Sequence, residues 1–124
     1  MNQRNSTETL LPLQNVAYPA MRDFATRLST YSGDWPSYKH RSDPEDFAVA
    51  GFFYIGTGDT VKCFYCGGGL KNWLFNDNPY HEHARFYPSC SYIINKKGLR
   101  YINAVARNDL YERLETTGFD ALTR

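Results

Sequence analysis

The chain has 124 residues, 42% of them hydrophobic and 16% aromatic, which suits one compact domain with tails. Fourteen Lys and Arg stand against thirteen Asp and Glu, a formal net charge of +1, so no general pull toward nucleic acid or an anionic membrane is built in. No apolar run approaches the ~20 residues of a membrane span, and the first residues lack the apolar stretch of a secretory signal, which points to a reducing, cytoplasmic setting.

Residues 1–17 are rich in Asn, Gln, Ser and Thr around the small apolar patch Leu10-Leu11-Pro12-Leu13, and read as a flexible N-terminal tail. Met21, Phe24, Ala25 and Leu28 recur at helical spacing and predict an amphipathic helix from Pro19 to Tyr31, ended by Gly33-Asp34-Trp35-Pro36. Ser42-Asp43-Pro44-Glu45-Asp46 has the cap, proline and first-turn acids of a second helix, short, burying Phe47 and Ala50 and stopped by Gly51. Aromatic and β-branched runs over 52–55, 60–66 and 70–74, separated by glycine turns, predict a three-stranded antiparallel sheet. Asn76-Asp77-Asn78 before Pro79 starts another helix. Beyond Cys90, the positions of Tyr92, Ile93, Ile94, Leu99, Tyr101, Ile102, Val105, Leu110 and Leu114 predict a helical C-terminal region interrupted at Gly98, with fraying after Gly118. The expectation is an α+β fold: a small domain over 18–107 with several short helices, followed by a C-terminal helical extension over 108–124.

The chemistry sits in Cys63-x2-Cys66-x16-His83-x6-Cys90, which uses every cysteine of the chain. Three thiolates and one imidazole fill the tetrahedral positions of Zn²⁺ and leave none for a water, the pattern of one structural zinc rather than a catalytic one. An odd number of thiols makes a poor disulfide framework. A redox Cys-x-x-Cys would open a helix, whereas Cys66 runs into Gly67-Gly68-Gly69. A zinc deaminase needs an open metal position and a His-x-Glu followed by Pro-Cys-x-x-Cys, whereas His81-Glu82-His83 is followed only by Pro88-Ser89-Cys90, so the spacing fails. On the helix that begins at Pro79, His83 lies about 20° from the face of Cys90 while His81 lies about 180° away, so His83 is the expected ligand. His81 and His40 read as exposed polar residues. With no open metal position and the cysteines exhausted, the chain is not expected to be an enzyme, nor to contain a RING.

Arg27-Leu28-Ser29-Thr30-Tyr31, Trp35-Pro36, Ala50-Gly51-Phe52-Phe53-Tyr54, Gly58-Asp59-Thr60-Val61-Lys62-Cys63-Phe64-Tyr65-Cys66-Gly67-Gly68-Gly69-Leu70 and His83-Ala84-Arg85-Phe86-Tyr87-Pro88-Ser89-Cys90 resemble a baculoviral IAP repeat, the BIR domain of inhibitor-of-apoptosis proteins, over about Pro19 to Val105. The resemblance is to the groove-bearing (type II) kind. It implies a sheet, short helices and one zinc, and capture of Ala-leading N-terminal peptides of caspases and of IAP-antagonist proteins.

By that resemblance Gly69, Leu70 and Trp73 line the peptide, Lys71 and Asn72 meet its backbone, Asp77 and Glu82 receive the free amine, and Phe86 and Tyr87 close the pocket. Phe86 stands where tryptophan is common, as does Tyr80. An exposed strand edge over 70–74 has the backbone groups to accept one more strand, and an ammonium facing carboxylates is worth ~1.5–3 kcal/mol. Plainer roles are open too: Trp73 as core, Asp77 as a helix cap, Glu82 as a first-turn acid. The alternative function is a BIR-fold interaction module whose groove is silent and which acts in assembly.

Overall fold

The computed structural model describes residues 15–117. Helix α1 (Phe24–Ser29) and α2 (Pro44–Val49) precede a sheet of β1 (Phe52–Tyr54), β2 (Val61–Cys63) and β3 (Gly69–Leu70); helices α3 (Pro79–Phe86), α4 (Ser91–Lys97) and α5 (Leu99–Thr117) follow. The predicted α+β architecture with its three-stranded antiparallel sheet is present, in the order β1-β2-β3. Phe52 pairs with Cys63 and Val61 with Leu70, so β3 lies at an edge.

The helix expected over Pro19–Tyr31 is broken. A 3₁₀ turn occupies Pro19–Met21, and α1 starts only at Phe24. Arg27 explains the break: its guanidinium, in a residue 3% exposed, takes the carbonyls of Met21 at 3.1 Å, Arg22 at 2.9 Å and Ala48 at 2.8 Å. Carbonyls turned toward a side chain are lost to a continuous helix. The same guanidinium lies 4.6 Å from the Phe64 ring centroid, so a buried charge is both hydrogen-bonded and capped by an aromatic face.

Helix α2 begins as the caps predict, with Asp43 as N-cap, Pro44 at the first position, and the Asp46 carboxylate accepting the Asp43 N–H at 2.8 Å. It buries Phe47, and Ala50 follows fully buried. The core is a run of aromatic rings packed edge to face: Trp35 on Tyr31 and Phe47, Phe47 on Trp73, Trp73 on Phe52.

The chain is already packed at Val16, 8% exposed, and the N–H groups of Ala17 and Tyr18 reach the carbonyls of Tyr65 and Phe64 at 3.0 and 2.8 Å. The Leu10–Leu13 patch lies outside the described residues, as does the chain after Gly118. At the other end Gly98, at φ 86°, separates α4 from α5 as expected. Tyr92, Ile93, Ile102 and Val105 are buried, while Leu99 and Leu110 of the same apolar pattern are 61% and 49% exposed.

Candidate zinc centre and peptide edge

β2 delivers Cys63 into a tight turn that returns at Cys66. The N–H groups of Tyr65 and Cys66 point at the Cys63 sulfur at 3.3 and 3.4 Å, and that of Gly68 at the Cys66 sulfur at 3.4 Å. Such donors favour thiolates. Gly67 closes the turn at φ 76°, a conformation that costs glycine nothing. His83 comes from α3. Cys90 does not share that helix: the chain turns after Tyr87, and Cys90 is the N-cap of α4.

The four donor atoms lie within 4.8 Å of one another, with Cys63 Sγ 3.9 Å from Cys90 Sγ and Cys66 Sγ 3.8 Å from His83 Nε2. A tetrahedral zinc with bonds of ~2.3 Å to sulfur and ~2.0 Å to nitrogen requires edges of about 3.5–3.8 Å, so the set fits with small adjustment. The charges of the sulfurs point to a cation as well. Hydrogen bonds with Cys66 and Cys90, then burial, push the Cys63 thiol far above the ordinary range, while its bond to Cys63 holds Cys90 far below. Three sulfurs this close cannot all ionise without a cation among them. His83 is 0% exposed, and its Nδ1–H donates to the Ala50 carbonyl at 2.7 Å, which leaves Nε2 as the metal-facing atom. Cys63, Cys66, His83 and Cys90 therefore hold one structural zinc.

Around this centre lie the expected peptide residues. Gly69 and Leu70 form β3, and the Tyr87 hydroxyl donates to the Gly69 carbonyl at 2.8 Å, which joins α3's end to the sheet edge. The strand predicted over 70–74 stops at Leu70. Lys71 is exposed, Asn72 adopts φ 59°, and Trp73 turns inward to 9% exposure against Phe47 and Phe52. The Asp77 carboxylate accepts the Leu74 N–H at 2.7 Å, while the helix cap proper is Asn78, whose side chain accepts from His81. Glu82 is 9% exposed, with one oxygen 3.1 Å from His81 Nδ1 and the other 3.5 Å from Arg85. Phe86 is 52% exposed, its ring 5.0 Å from the Arg85 guanidinium.

Two residues of this neighbourhood escape a reading by sequence pattern. His40, expected on the surface, is 7% exposed, stacked on Trp35 at 4.7 Å, with Nε2 3.1 Å from Asp59. Asp59 looks like an ordinary turn residue, yet its carboxylate accepts the N–H groups of both Asn72 and Trp73. Burial alone would raise its pKa, but those N–H groups and His40 hold it below the usual carboxylate value.

A zinc-knuckled three-stranded sheet wrapped by short helices defines the class. The family model described as "BIR: Inhibitor of Apoptosis domain" matches residues 27–94, and the chain belongs to that family. It is 47% identical over 88 residues to the E3 ubiquitin-protein ligase XIAP of Xenopus tropicalis, covering 71% of this chain and 17% of the relative. It is 44% identical over 91 residues to the E3 ubiquitin-protein ligase IAP-3 of Orgyia pseudotsugata multicapsid polyhedrosis virus, covering 73% of this chain and 33% of that one. Among solved structures, the DIAP1 BIR1 domain bound to a Grim peptide superimposes with a TM-score of 0.52 at 37% identity, over 56% of this chain and 69% of that one. The chain thus spans a third or less of these curated relatives' length. Among the described residues, no helix is long and apolar enough to cross a membrane.

Proposed function

We propose that this domain regulates apoptosis by capturing peptides that begin with a free alanine, as presented by processed caspases or by the antagonists that displace them. It does so in the cytoplasm and without a catalytic step. The observation that carries the reading is the outer side of β3: among the described residues Gly69 and Leu70 pair with β2 alone in the sheet, and Trp73 and Asp77 follow on the next stretch of chain, Phe86 and Tyr87 at the end of α3. A peptide adding to that side gains backbone hydrogen bonds, and its first side chain meets the rim of Trp73. Asp77, half-buried, offers its carboxylate to the ammonium, and Glu82 adds a second acid from the first turn of α3. The solved complex of the DIAP1 domain with a Grim peptide supports the same reading. Ubiquitin transfer belongs to the longer relatives by name and is not proposed for these residues.

Isothermal titration of an Ala-leading tetrapeptide against its N-acetylated form is the test. A charge-assisted amine contact worth ~1.5–3 kcal/mol corresponds to roughly a ten- to hundredfold preference for the free amine. Asp77→Ala removes most of that preference, and Lys96→Ala leaves it in place. Equal affinity for both peptides, or binding of neither, refutes the groove and leaves assembly through another surface.

A further inference from the structure

Asp59 lies in the turn between β1 and β2, yet it organises the chain beyond β3. Its Oδ1 accepts the Asn72 N–H at 2.7 Å and its Oδ2 the Trp73 N–H at 2.9 Å. Two successive amides on one carboxylate hold Asn72 in the left-handed region, at φ 59°, a conformation that non-glycine residues seldom keep unless their surroundings impose it. Oδ2 also faces His40 Nε2 at 3.1 Å, and His40 Nδ1 faces the Pro36 carbonyl at 2.9 Å. Both ring nitrogens therefore meet oxygen atoms, and the imidazole is held between the Pro36 carbonyl and Asp59. The imidazole packs on Phe47 at 5.7 Å, and Phe47 packs on Trp73 at 4.8 Å. His40, Asp59, Trp73 and Phe47 thus form a closed ring of contacts, two links polar and two aromatic.

We infer that Asp59, braced by His40, is a positioning residue for peptide capture: it ends the peptide-accepting edge at Lys71 and sets the height of Trp73. The inference rests on the groove reading. Because the N–H groups of Asn72 and Trp73 are turned inward to Asp59, a ligand's backbone has only the stretch from Gly69 to Lys71 to pair with. Backbone pairing is thereby confined to a stretch of about three residues, roughly 10 Å at ~3.3 Å per residue. Neither residue touches the ligand.

The test combines two readouts on the zinc-loaded protein. In amide hydrogen exchange, Asp59→Asn raises the rates of Asn72 and Trp73 by about tenfold or more, the scale of a charge-assisted bond, while those of Phe53 and Val61 in the sheet are unchanged. In titration with the Ala-leading tetrapeptide, Asp59→Asn weakens binding about tenfold and Asp59→Ala weakens it further, with one zinc still bound per chain. His40→Phe keeps the stack on Trp35, deletes the bond to Asp59, and gives a smaller loss at the same two amides. Glu45→Ala, an exposed carboxylate on α2, changes neither readout. Unaltered exchange at Asn72 and Trp73 in Asp59→Asn overturns the inference. Altered exchange with unaltered peptide affinity overturns the link to capture. If the wild type binds no peptide, the groove reading fails while the exchange result still decides the local role of Asp59.

Discussion

Gly68→Ala is the substitution whose cost can be worked most directly. Gly68 lies in the turn between Cys66 and β3, and a methyl there would stand 2.5 Å from Cε1 and Cζ of the Tyr87 ring and 2.7 Å from Cδ1. Real Cβ contacts do not come so close, so the ring must swing away. It then loses the 2.8 Å bond from its hydroxyl to the Gly69 carbonyl. The bond is worth about 0.5–1.5 kcal/mol and the overpacking costs about 1–3 kcal/mol, which together give about 1.5–4.5 kcal/mol. A domain of ordinary stability, about 5–15 kcal/mol, survives that, so the variant folds and can be measured. Urea denaturation of zinc-loaded protein should show a lowered midpoint at unchanged slope. The double variant Gly68→Ala/Tyr87→Ala separates the causes: with the ring gone, alanine at 68 should cost less than about 0.5 kcal/mol beyond Tyr87→Ala alone. A Gly68→Ala single variant within about 0.5 kcal/mol of wild type, or a double variant whose losses simply add, would refute the steric account.

Two further outcomes are expected. Stripping zinc with a chelator should abolish the near-ultraviolet circular dichroism of the packed aromatic core, because the four ligands tie the sheet to α3 and α4; an apo protein that keeps this signal and still binds peptide would overturn the structural role. Arg27→Lys keeps the charge but lacks the fork that reaches Met21, Arg22 and Ala48, and should cost about 2–4 kcal/mol in the same urea assay, a loss under 1 kcal/mol counting against it.

The zinc set and the starts of α2 and α3 were legible because each depends on sequence spacing: two thiols with two residues between them, an Asx residue before proline, a glycine where the chain must reverse. What escaped depends on partners far along the chain. The run from Leu70 to Leu74 looks extended by composition, and it fails as a strand because a carboxylate from the preceding turn captures the amides of Asn72 and Trp73. His40 sits among polar neighbours, and only the fold reveals Trp35 above it and Asp59 beside it. The long helix expected at Pro19–Tyr31 has the right apolar rhythm, but Arg27 claims the carbonyls that would have carried it through. Cys90 obeys the zinc spacing for a reason other than helical phase, since α3 has ended before it.

The bond from His83 Nδ1 to the Ala50 carbonyl has a consequence for how the domain assembles. That carbonyl is placed at the end of α2, 33 residues earlier than the histidine it orients. Until α2 has docked, the imidazole is free to present either nitrogen, and the metal is offered a mixture of tautomers. Once it has docked, a single lone pair faces the sulfurs. Tight metal retention is therefore coupled to the docking of α2, and a weakened α2 would lower the domain's hold on zinc.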